Sequence, residues 1–147
     1  MSSATRYLLD VNVLIALIDP AHVRHDDAHR WFAGKGKKAW ATCPITENGV
    51  LRIVGNSRYP SSPGNPAAVA EILLVLRDVG SHEFWSDDIS LLDRNAVDAA
   101  RLLNSAQVTD SFLLALAEAH GGQLATFDRQ LVPDAVVSGA SALHQIR

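Results

Sequence analysis

Apolar residues in this chain fall into short unbroken runs separated by longer stretches of helical spacing. Tyr7-Leu8-Leu9 has the continuity of a buried strand. From residue 11 to 18 the apolar positions take helical spacing, and Asp19-Pro20 stops them. "HVRHDDAHRWF" predicts a second helix with Trp31 and Phe32 inward and Gly34 at its end. "KAWATC" predicts a strand, followed by a helix capped by Thr46 that starts at Glu47 and runs through "NGVLRIV". "GNSRYPSSPGNP" is the clearest loop, a candidate flap facing substrate or partner. Pro66 opens the helix "AAVAEILLVLRDV", with Val69, Ile72, Leu73 and Leu76 on one stripe. "HEFW" predicts a strand, and "SLLDRNAVDAARLL" a helix with Ser90 and Asp93 in capping-box-like positions. "TDSFLLALAEAHGG" is the best-defined helix, and "QLATF" and "ALHQI" are the last strands.

Strands alternating with helices predict an α/β/α sandwich around a mainly parallel sheet of about five strands. Right-handed crossovers leave a few doubly wound orders. The 147 residues, 48% of them hydrophobic, suit a single domain over 1–147. A net charge of −3 argues against a broad basic surface, so nucleic acid would need a local patch or a metal ion. Cys43 stands alone, which excludes an internal disulfide and points to a reducing, cytoplasmic location. "MSSATRY" lacks a signal-peptide pattern, and no apolar run is long enough for a membrane span.

In such sheets ligands bind at the carboxyl ends of the strands. Asp10 follows the first strand and Asp128 follows "QLATF", while Glu47 and Asp110 open helices. Singly, each reads as a cap, a turn residue or a partner of the helix dipole. Converging on one rim, the four would repel, and some would have raised pKa values. A hard divalent ion, Mg2+ or Mn2+, relieves that conflict with oxygen ligands.

"LLDVNVLIAL", "PITENGVLRIV" and "VTDSFLLALAEAHGGQLATFD" resemble the PIN-domain ribonucleases, and among them the VapC-type toxins of toxin–antitoxin pairs. The resemblance runs nearly end to end. It implies Asp10, Glu47, Asp110 and Asp128 as catalytic and metal-binding acids, with Asn12 and Thr126 as accessory residues. It also implies metal-dependent endoribonucleolytic hydrolysis leaving 5′-phosphate and 3′-hydroxyl ends. A cognate VapB-type antitoxin and a homodimer are expected, the latter through the helix after Val11 or the helix after Ala67.

Lys35, Lys37 and Lys38, with Arg30, form the densest basic patch, and Arg52 and Arg58 flank the helix of Glu47 and the loop. These are candidate RNA contacts, the lysines reading more simply as a solvated turn. His22, His25 and His29 share helical spacing, but no fourth zinc ligand accompanies them. Asp87, Asp88 and Asp93 read as cap and turn residues, and Trp31, Trp40 and Trp85 as core. Rival readings are an inactive PIN-like module binding RNA or protein, which the intact acids oppose, and an aspartate-based phosphotransferase. The latter usually has a second acid where this chain has Asn12.

Overall fold

The computed structural model describes residues 4–147; the reading of a missing leader concerns in part residues 1–3, which lie outside them. Five strands form one parallel sheet: β1 (Tyr7–Leu9), β2 (Trp40–Thr42), β3 (His82–Phe84), β4 (Gln123–Thr126) and β5 (Leu143–Gln145). Their order is β3-β2-β1-β4-β5, so the chain builds outward from β1 on one side and then returns to β1 from the other. The order therefore reverses between β1 and β4, and the crevice of a doubly wound sheet opens at their carboxyl ends. In register, Tyr7 faces Trp40 and Gln123, and Leu9 faces Ala125.

Five helices cover the sheet: α1 (Val11–Ile18), α2 (His25–Gly34), α3 (Pro44–Val54), α4 (Pro66–Arg77) and α5 (Gln107–Ala119). Side chains alternate between the two faces of a strand. Tyr7, Leu9, Trp40 and Ala125 join the core under α1 to α4. Leu8, Ala41 and Leu124 join a second core with α5 and the segments around Trp85 and Val136. Two cores on opposite faces make the three layers expected. After α5 the chain turns back through Gly121 at φ 70°, a backbone state that favours glycine.

Three local expectations differ. α3 starts at Pro44, with Cys43 as its cap, because proline is preorganised for a helix's first position. Thr46 sits inside the first turn, where its Oγ1 accepts from the Cys43 backbone N–H at 3.0 Å. The helix expected over 90–103 is a run of turns with one short 3-10 segment, Ala99–Arg101. Ser90, Asp93 and Asp98 each accept a backbone N–H two residues ahead, a local bond that competes with the helix. Val97 meanwhile bridges Val136, which takes that backbone into tertiary pairing. On α4, Val69 and Leu73 are buried and Leu76 packs beside them, but Ile72 turns outward.

The loop after α3 is anchored by its aromatic residue. The Tyr59 hydroxyl donates to Asp19, the buried carboxylate that ends α1, which also accepts from the Ala21 backbone. Burial alone would raise Asp19, but these hydrogen bonds hold it below the usual carboxylate range, and Tyr59 is pushed up to about 12. Tyr59→Phe should therefore cost about 1–3 kcal/mol of unfolding free energy at pH 7 by urea denaturation, because a buried carboxylate loses a donor. The Asp19 contribution is present above its unfolded value of 3.8 and is lost as pH falls through the lower folded value. The gap between wild type and variant should accordingly narrow in acid.

Candidate active site at the carboxyl edge of the sheet

Asp10 leaves β1 at the point where the strand order reverses, and it is 8% exposed. One oxygen caps α1 by accepting from the Val11 backbone N–H at 2.8 Å, and the other accepts from Thr126 Oγ1 at 2.8 Å. Thr126 is the last residue of β4 and is fully buried. Its hydroxyl accepts from Asn12 Nδ2 and from the Asp128 backbone N–H, both at 3.0 Å. The oxygen thus uses its one proton on Asp10 and both lone pairs on the neighbouring chain. Asn12 completes the weave by accepting from the Phe127 backbone N–H at 3.1 Å. β1, α1 and the end of β4 are locked together beneath the carboxylates.

A helix joining parallel strands runs antiparallel to them, so α5 starts at the carboxyl edge and brings Asp110 there in its first turn. Burial pushes Asp110 up to about 6, and the charges of Asp10 and Asp128 add to the shift. Burial also raises Asp10; the Thr126 and Val11 hydrogen bonds oppose this, and Asp128 reinforces it. Among the described residues the Asp110 carboxylate accepts no protein hydrogen bond. The structure therefore brings together Asp10, Asp110 and Asp128, with Asn12 and Thr126 as their supports.

Glu47, the fourth acid expected there, makes contacts of its own. Its carboxylate accepts from Thr42 Oγ1 at 2.6 Å and pairs with Arg77 at 3.3 Å. His82 Nε2 lies 2.7 Å from the same Thr42 hydroxyl. Burial, with Arg77 and Arg6 nearby, lowers His82 to about 4, so the neutral ring donates to Thr42, which donates to Glu47. These contacts turn the Glu47 carboxylate toward β3 and α4. The reason is helical phase. Glu47 and Leu51 share the face of α3 that lines a cavity with α4, whereas Gly49 lies about 200° around the helix. A place near a helix start identifies the edge of the sheet but not the direction of the side chain.

The basic candidates divide in the same way. Lys35, Lys37 and Lys38 precede β2, and a parallel β2 starts beside the start of β1, so they stand at the opposite edge from the acids. Arg30 pairs with Asp27 on the surface. Arg58 precedes the Tyr59 anchor at the far end of α1, about 12 Å along the helix from Asp10. The loop is thus fastened away from the acids and is no flap over them. Arg52 alone of these lines a groove beside Val11 and Thr109, the neighbours of Asp10 and Asp110. Arg24, stacked over the Phe127 ring at 4.3 Å, and exposed Arg129, next to Asp128, escaped the reading of the sequence. For Arg129, its place beside Asp128 in the chain was the available signal.

The histidines serve the fold: His25 and His29 reach the Ala16 and Leu17 carbonyls at the end of α1, each at 2.7 Å, and His22 accepts from the Arg24 backbone. Asp88 pairs with His120 at 3.2 Å, and Asp93 holds a turn. Trp40 and Trp85 are buried and Trp31 is half-buried.

Three converging carboxylates offer the hard oxygen donors that suit Mg2+ or Mn2+. Among the described residues, no three acidic, histidine or cysteine side chains already stand in direct ligand positions.

The model of the PIN domain matches residues 7–133. Ribonuclease VapC44 of Mycobacterium tuberculosis (strain ATCC 25618 / H37Rv) is 45% identical over 139 residues, covering 95% of this chain and 96% of its own. Ribonuclease VapC39 of the same strain is 44% identical over 128 residues, covering 87% and 92%. Among solved structures, the Mycobacterium tuberculosis VapC20 sarcin-ricin loop cleaving toxin superposes with a TM-score of 0.58 at 20% identity, over 89% of this chain and 96% of that one. A toxin–antitoxin complex from Klebsiella pneumoniae also gives 0.58, at 21% identity, over 99% and 98%. These likenesses in solved structures carry the fold, and the sequence relatives carry the family. The chain belongs to the PIN-domain family, and within it to the VapC-type ribonucleases.

Proposed function

We propose that this chain, as one PIN domain, is a metal-dependent endoribonuclease toxin restrained by a cognate antitoxin. The observation that carries the reading is the mutual charge of Asp10, Asp110 and Asp128 at the reversal of strand order. Asp10, Asp110 and Asp128 would hold Mg2+ or Mn2+. An ion bound there supplies Lewis-acid polarisation of a scissile RNA phosphodiester and neutralises the carboxylates. Thr126 and Val11 fix both oxygens of Asp10, so one ligand is oriented before any ion arrives. Asn12 keeps the Thr126 proton pointed at Asp10, because the Asn12 amide occupies one of the acceptor sites of that hydroxyl. Asp110, which lacks such donors, is the ligand most dependent on the cation.

An antitoxin segment with a basic side chain suits the same concentration of negative charge. We place the toxin in the cytoplasm, where RNA is present and a lone buried Cys43 stays reduced. No helix among the described residues is long and apolar enough to cross a membrane. A homodimer fits α4 better than α1: residues 13–17 of α1 are buried, whereas Leu74 and Val75 of α4 are 53% and 70% exposed.

Asp110→Asn should lower cleavage of a mixed RNA pool in Mg2+ or Mn2+ by more than about 100-fold. Glu47→Gln should stay within about tenfold of wild type, since the Glu47 carboxylate is engaged by Thr42 and Arg77. An equal collapse of both variants would restore Glu47 to the site.

Without metal, the folded protein holds the Asp110 proton more tightly than the unfolded chain does. Its stability should therefore fall as pH rises from 3.8 toward about 6. Asp110→Asn should remove that loss, on the order of 1 kcal/mol after discounting for solvent screening. Mg2+ or Mn2+ should raise the melting temperature of wild type at pH 7.5, and that of the variant much less. Val75→Asp should shift the sedimentation coefficient toward the monomer; a dimer unaffected by it would remove α4 from the interface.

A further inference from the structure

The groove beside the acids has an architecture that the acids do not explain. It measures about 470 Å³ and is lined by Val11, Ile45, Asn48, Gly49, Arg52, Ile53 and Thr109. Five of these residues, at 45, 48, 49, 52 and 53, fall at i, i+3, i+4, i+7 and i+8, which is one face of α3. The other two adjoin Asp10 and Asp110 in the chain, so the groove lies beside the elements that carry those carboxylates. Gly49 forms its floor. A β-carbon there would come within 2.7 Å of Val11 Cγ2, so the missing side chain lets α3 lie against α1. Asn48 and Arg52 are exposed, and among the described residues Arg52 makes no salt bridge.

On the ribonuclease reading above, we propose that this groove seats the nucleotide next to the scissile phosphate. The Arg52 guanidinium holds its backbone phosphate, and the Asn48 amide meets its sugar or base edge. The lining supports an RNA chain. It is mostly apolar, as the faces of a ribose and a base require, with one cation and one amide on the rim. A free guanidinium matches phosphate with paired N–H donors. A peptide that brings a basic side chain to the acids would carry that charge past Arg52, whereas an RNA chain brings negative charge to the guanidinium.

The test uses a fluorescently labelled 12-nucleotide single-stranded RNA. Binding is followed by anisotropy in EDTA across a series of KCl concentrations, and cleavage is followed in Mn2+. Arg52→Ala should weaken binding about tenfold and reduce the salt slope by about one ion. In cleavage it should raise KM about tenfold with kcat within about threefold, and Arg52→Lys should recover part of the affinity. Asn48→Ala should change the preferred cleavage position with a smaller loss of affinity. Circular dichroism melting checks that these exposed substitutions leave the fold intact. Unchanged affinity and salt slope in Arg52→Ala, with cleavage by wild type intact, overturns the groove assignment while leaving the ribonuclease reading in place. Unchanged RNA affinity together with lost inhibition by the co-expressed antitoxin assigns the groove to a peptide and equally overturns it. A wild type that neither binds nor cleaves RNA overturns both.

Discussion

The burial of Asp10 is the constraint around which this molecule is organised. An ionised carboxylate removed from water is costly unless donors surround it. The chain supplies two, the first amide of α1 and the hydroxyl of Thr126. The second of these lies 116 residues away, so the bond that stabilises the charge also fastens the beginning of the fold to its end. Asn12 and the Asp128 backbone then saturate the same hydroxyl. A polar network that is fully satisfied rigidifies its surroundings, and this one lies at the edge that carries the three carboxylates. Asp110, by contrast, enters from a separate helix and is left to charge alone. One acid is held by the protein and another is not, a division of labour along a single edge of the sheet.

Much of the fold was legible because its signals are local and repeated. Short segments between turn signals marked the five strands, and Asp-Pro, Gly and Asn-Pro marked most helix ends. The segment over 90–103 was not legible, since its apolar spacing is helical while its Ser and Asp side chains favour turns. The bridge between Val97 and Val136 decided the outcome, and no local pattern reports a partner so far along the chain.

The site was legible as an edge of the sheet but not as a direction. Asp10, Asp110 and Asp128 stand near one another because each follows a strand or opens a helix at that edge. Glu47 meets the same criterion, and its direction is set by phase: at about 100° per residue, two positions along α3 separate the groove beside Val11 from the cavity with α4. The lysines precede a parallel strand and therefore belong to the opposite edge from Asp10. Both distinctions follow from the sequence once the strand order is known, and not before.

The strands are short, and this has a consequence for the protein as a solute. Both outer strands, β3 and β5, are three residues long. On β3 the middle residue is Glu83, which is tied to Arg6 at 3.1 Å, so a charge pair sits on that flank. A border this brief offers an approaching polypeptide too few main-chain partners to template a sixth strand, and charge on it discourages the attempt. A molecule held in check by a separate chain must survive the loss of that chain without clumping. The sheet meets that demand by its economy of length, at the same time as it gathers the acids on its other margin.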